Sequence, residues 1–180
     1  MANKIDNYKT RDCLKKLSKN ELINLVLRFA SQSFIDNING QFSTKKEALS
    51  IFYKSSQAIE GVLSDEELLY NPDGFEQELL KHLEKIKALW DKLPIQVGEL
   101  IIRIIESVEQ SFDNGYLYIE NYGEKDDYFE SEDVNEYIYQ FTKNLPKEMK
   151  FAYIEKLKKY FNNCGYSTFL SIEKKISKIK

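Results

Sequence analysis

One histidine, two cysteines and three arginines are all that this chain of 180 residues holds of the side chains from which many enzyme sites are built. A Ser-His-Asp or Cys-His system would have to use His82. That residue lies in ELLKHLEKIK beside an apolar stripe, which reads as a helix boundary position rather than a base. Cys13 and Cys164 stand far apart, in no CxxC or Cys/His spacing, so a zinc centre of that kind is excluded. They read as reduced, half-buried thiols. Glycine and proline are scarce as well, seven and three, which leaves little material for the tight turns of an all-β fold. There is no GxxxxGK[ST] and no GxGxxG, hence no phosphate cradle of those types. No apolar run approaches the ~18 residues of a membrane span. The opening MANKIDNYKTRD has no apolar core of a secretion signal, so a cytoplasmic protein is expected.

What remains is helical in pattern. Hydrophobic content of 42% and charged content of 31% are those of a folded chain, and the length suits one domain spanning 1–180. Ser18-Lys19-Asn20-Glu21 has the form of a capping box, followed by Leu22, Ile23, Val26, Leu27 and Ala30 at helical spacing. FIDNINGQFS reads as a loop. Ser43 or Thr44 opens a helix with Ala48, Leu49, Phe52, Ile59 and Val62 on one face. SDEELLY is a short helical turn, broken at Asn71-Pro72-Asp73-Gly74. A long helix starts near Phe75 and carries Leu79, Leu80, Leu83, Ile86, Trp90 and Leu93. Pro94 ends it or starts the next, the most apolar in the chain, with Val97, Leu100, Ile101, Ile104, Ile105 and Val108.

Beyond a turn at Asn114-Gly115, YLYIENY fits a strand or a short aromatic helix. Ser131 or Asp133 then caps a helix with Val134, Tyr137, Ile138, Phe141 and Leu145. Pro146 starts another, which Gly165 closes. A last helix carries Phe169, Ile172, Ile176 and Ile179. The expected fold is all-α: about seven helices in an antiparallel bundle or a short stack of helix pairs.

Charge is unevenly placed along this framework. Between Asp113 and Glu136 there are nine carboxylates and one lysine, a net of −8 in a chain whose total is −3, which leaves +5 for the remainder. Tyr116, Tyr118, Tyr122, Tyr128, Tyr137 and Tyr139 are threaded through and just beyond the acidic run. Tyr137 fits a core stripe, but all six cannot face one core. Tyrosine offers a large contact area at low entropy cost and a hydroxyl for bonding across an interface. Carboxylates around it steer a basic partner and speed association.

Charge of this kind has two other uses. Asp126, Asp127 and Glu130 could share a divalent cation, but they lie in a glycine-containing polar run without apolar walls, so no metal and no cofactor are expected. The paired lysines and the tail SIEKKISKIK form solvated faces. With so few arginines they do not make a nucleic-acid site, and no membrane binding is expected.

A small helical chain rich in lysine, isoleucine and asparagine, with an acidic face and no catalytic set, resembles the immunity proteins of bacterial contact-dependent growth inhibition and related polymorphic toxin systems. That resemblance is one of type and covers the whole chain. It implies a non-enzymatic protein that binds and blocks a cognate basic toxin domain, often a nuclease such as an RNase. The residues assigned to partner binding are Asp126, Asp127, Glu130, Glu132, Asp133 and Glu136 as a charged ring, with Tyr122 and Tyr128 as anchors. The segments LSKNELINLVLRFA and VEQSFDNGYLY are also similar to a bacterial helical-repeat family sometimes found with SWIM zinc fingers, which this chain lacks. The alternative function is accordingly a helical scaffold or adaptor with no toxin partner.

Overall fold

The computed structural model describes residues 7–119, 127–129, 132–161, 172, 175, 176, 178 and 179. The fold is all-α, as the hydropathy pattern predicts. By its contacts the chain gathers into two compact units, Met1–Asp36 and Asn37–Lys180.

The first unit holds α1 (Asn7–Lys15), α2 (Lys19–Phe29) and the start of α3 (Gln32–Phe42). The capping box forms: Ser18 Oγ accepts from the Glu21 amide, and the Glu21 carboxylate accepts from the Ser18 amide at 2.8 Å. It satisfies two backbone donors that the first turn leaves over. The apolar stripe behind it is not a core stripe. No side chain of α2 is buried, and Leu27 and Phe29 are the most exposed. The helix is therefore specified locally, by its cap and by helix-favouring Leu, Lys, Glu and Arg. Cys13 is exposed, against the half-buried thiol expected.

Residues 34–42 of the segment FIDNINGQFS belong to helix α3 and are not the loop the sequence suggested. Asn and Gly lowered its apparent helicity, but tertiary contacts within the second unit decide the outcome. A Cβ at Gly40 would collide with the Ala88 side chain, so glycine marks a close approach of two backbones. The Lys92 ammonium then donates to the carbonyls of Gly40 at 2.7 Å and Gln41 at 2.9 Å, and to Ser43 beyond them. It closes the carbonyl end of α3, where the helix dipole favours a cation.

Within the second unit follow α4 (Lys45–Ser64), the single turn α5 (Glu66–Leu69), α6 (Pro72–Lys87), α7 (Pro94–Asp113), α8 (Glu132–Asn144) and α9 (Lys147–Phe161). Thr44 and Glu47 form a second capping box. Proline stands in the first turn of α6 and of α7, where its missing N–H costs nothing. Helix contacts close into a ring: α4 on α6, α6 on α8, α8 on α9, α9 on α7, and α7 on α4. The interior is filled by Ile59, Phe75, Leu79, Leu83, Ile86, Leu100, Ile104, Val108 and Phe141, all essentially inaccessible. Each fully buried Leu, Ile or Phe side chain contributes about 1.5–3 kcal/mol. Ile172 and Ile176 are buried as expected, while most of the predicted last helix, with Cys164 and Gly165, lies outside the described residues. Among the described residues, no helix is long and apolar enough to cross a membrane.

The one departure from helix among the described residues is a two-stranded antiparallel pair, β1 (Tyr118–Ile119) and β2 (Asp127–Tyr128), with Tyr118 opposite Tyr128. It answers the choice left open for YLYIENY in favour of a strand at Tyr118 and Ile119.

Candidate functional site

The acidic stretch is fastened at both ends. On one side Gly115 takes a positive φ of 80° to turn the chain out of α7, and Leu117 follows at φ 59°. A left-handed backbone is unfavourable for leucine. Here it is held by complete burial and by two backbone bonds: the Leu117 amide donates to the Leu69 carbonyl at 2.8 Å, and its carbonyl accepts from the Phe129 amide at 3.1 Å. On the other side Phe129 is buried, edge-to-face on Phe75 with ring centroids 5.4 Å apart. Tyr116 packs edge-to-face on Tyr70 at 5.2 Å. Leu117 and Phe129 thus fix the described segments 115–119 and 127–129 to the core.

The predicted partner-binding residues divide into three groups. Asp127 and Tyr128 form β2. Glu132, Asp133 and Glu136 lie on α8 with their side chains exposed. Tyr122, Asp126 and Glu130 lie outside the described residues. Tyr139 is half-buried against the core edge, and Tyr137 is buried, as its place in the stripe implied.

Asp133, Glu136, Tyr137 and Gln140 recur at helical spacing and share one face of α8. Opposite them, α6 presents Leu80, Glu84 and Lys87 with the same periodicity. Trp90, in the turn after α6, closes the end. Together they line a cleft of about 280 Å³. Its floor is rigid. The Trp90 indole N–H donates to the Tyr137 hydroxyl at 2.9 Å, and the Trp90 ring meets Tyr137 and Phe141 edge-to-face at 5.1 and 5.5 Å. Burial pushes the Tyr137 hydroxyl far above its ordinary pKa, although the Trp90 bond opposes the shift, so it stays protonated.

The rim is acidic. Glu84 is paired with Lys87 at 3.0 Å. Glu136 accepts from the Gln140 amide at 2.7 Å and lies 3.3 Å from the Lys175 ammonium; the Gln140 bond, with help from Lys175, holds its carboxyl below the usual range. The same ammonium stands 6.0 Å from the centroid of the Tyr139 ring. Asp133 has no ion pair among the described residues. Glu84, Asp133 and Glu136 against Lys87 and Lys175 leave the cleft with a net charge of −1.

No group of three or more potential metal ligands is present among the described residues. His82 is half-buried in α6 with Glu78 3.9 Å away. No family model, curated protein or solved structure matches this chain.

Trp90, Glu84 and Gln140 were not among the residues singled out from the sequence. The repeat of Asp133, Glu136 and Gln140 on one helical face was available in the pattern. The pairing of Trp90 with Tyr137, 47 residues apart, was not.

Proposed function

We propose that this chain is an immunity protein that binds a cognate basic toxin domain, a nuclease of the RNase type, and masks its active site. The observation that carries this reading is the segregation of charge: −8 between Asp113 and Glu136 against +5 elsewhere. The exposure of Glu132, Asp133 and Glu136 on α8, beside a cleft with an aromatic floor, supports it. A nuclease that grips a phosphate backbone is basic where it acts. An acidic face rich in tyrosine matches that surface in charge and in flat contact area. Asp126, Asp127, Glu130, Glu132, Asp133 and Glu136 form the charged ring in this reading, and Tyr122 and Tyr128 are its anchors. Inhibition is steric and electrostatic. The protein performs no chemistry, needs no cofactor, acts in the cytoplasm and does not touch nucleic acid itself.

The test is protection. A basic RNase toxin domain, sought first in the gene immediately upstream, is expressed from an inducible promoter, with and without this chain. Restored growth and an isolable complex of the two proteins are expected. Growth arrest that persists although both proteins are soluble contradicts the reading and leaves a helical scaffold as the remaining one.

A further inference from the structure

We propose that the cleft between α6 and α8 is the receptor for one arginine side chain of the basic partner, stacked on Trp90 and paired with Asp133 and Glu136. The inference rests on the reading of this face as a docking surface for a basic protein. Three observations on the cleft point to a guanidinium.

Its volume of about 280 Å³ admits a side chain, and its floor is aromatic and fixed by the Trp90–Tyr137 hydrogen bond. Guanidinium is planar, weakly hydrated and always charged, so it stacks on indole at a smaller desolvation cost than ammonium. The carboxylates on the α8 side differ in what they already hold. Glu136 is oriented by Gln140, while Asp133 has no ion pair among the described residues. An entering guanidinium therefore meets Asp133, which has no ion pair among the described residues, and an oriented Glu136 whose Lys175 it displaces; a forked donor can span the two.

The third observation comes from the chain's own lysine. On the edge of this face Lys175 lies 3.3 Å from Glu136 and 6.0 Å from the Tyr139 ring centroid. A cation already rests there between a carboxylate and an aromatic ring. Lys175 is carried by a segment whose Ile172 and Ile176 are buried, so its backbone is anchored and only its side chain has to yield as the partner arrives.

Trp90 is the single tryptophan of the chain, so its emission reports on the cleft alone. The probe is a blocked tripeptide with one central arginine, compared at constant ionic strength with the same peptide carrying neutral citrulline. The arginyl peptide should change Trp90 emission to saturation, and the citrullyl peptide should not at the same concentration. Asp133→Asn alone, and together with Glu136→Gln, should weaken the arginyl titration, the double variant about tenfold. Asp73→Asn, exposed on α6 and outside both the cleft and the charged ring, should titrate as the parent protein does. An equal response to citrulline, no response to arginine, or equal weakening by Asp73→Asn overturns the proposal.

The same variants are carried into the growth-protection assay. Protection by the parent protein with a failed arginine titration overturns the cleft and leaves the immunity reading standing. A successful titration without protection keeps the cleft and removes the immunity reading.

Discussion

Lys92 is the residue whose role is best defined by distance. Its ammonium ends α3 by bonding the part-buried carbonyls of Gly40 and Ser43 and the exposed carbonyl of Gln41. Hydrogen bonds to a charged group contribute about 1.5–3 kcal/mol. Lys92→Met keeps the aliphatic stem and removes the donor. It should lower stability in urea by about 1–3 kcal/mol, with the denaturant slope unchanged. His82 gives a pH signature of a different kind. Burial, with Lys85 and Lys81 nearby, depresses its pKa below 6.5, while Glu78 opposes the shift. The unfolded chain therefore takes up a proton in a range where the folded protein does not. Stability should rise with pH between the depressed value and 6.5, and level off above it with respect to this group. Melting temperatures at pH 5.5 and 7.5 should differ less in His82→Gln than in the parent protein.

At the scale of elements, the antiparallel pair of β1 and β2 depends on two buried anchors, Leu117 and Phe129. Phe129→Ala removes the edge-to-face contact with Phe75 and leaves a cavity in the core. A cost of about 3–5 kcal/mol is expected. Exchange of the Phe129 amide, which bonds the Leu117 carbonyl, should accelerate more than that of amides in the middle of α7. The helices with regular apolar repeats, α4 and α6 to α9, were legible in the sequence because burial and period coincide in them. α3 was not, because its fit depends on Gly40 meeting Ala88 and on Lys92, 49 to 52 residues ahead in the chain. α2 was legible as a helix and misleading as a core element: a stripe at the right spacing specifies a face, not what covers it. The acidic face of α8 was visible as composition. Its aromatic floor was not, since the Trp90–Tyr137 bond joins two helical regions whose packing no local pattern encodes.

At the scale of the whole molecule, a net charge of −3 conceals a dipolar distribution, and the distribution governs how the molecule meets partners. Exposed carboxylates on α8 contribute little to stability, because solvent screens them. Reversing them should leave the melting temperature nearly unchanged while changing recognition. Association with a basic domain should slow as salt rises, since the screening length falls to about 8 Å at physiological ionic strength. The most direct measurement is the association rate with a basic RNase toxin domain against which this chain protects growth, at low and physiological salt, for the parent chain and for the triple variant Asp126→Lys, Asp127→Lys, Glu130→Lys. In the variant an association rate lower by about tenfold or more at low salt, a shallower salt dependence and an unchanged melting temperature are expected. Unchanged rate and affinity in a variant that remains folded would contradict the acidic docking surface.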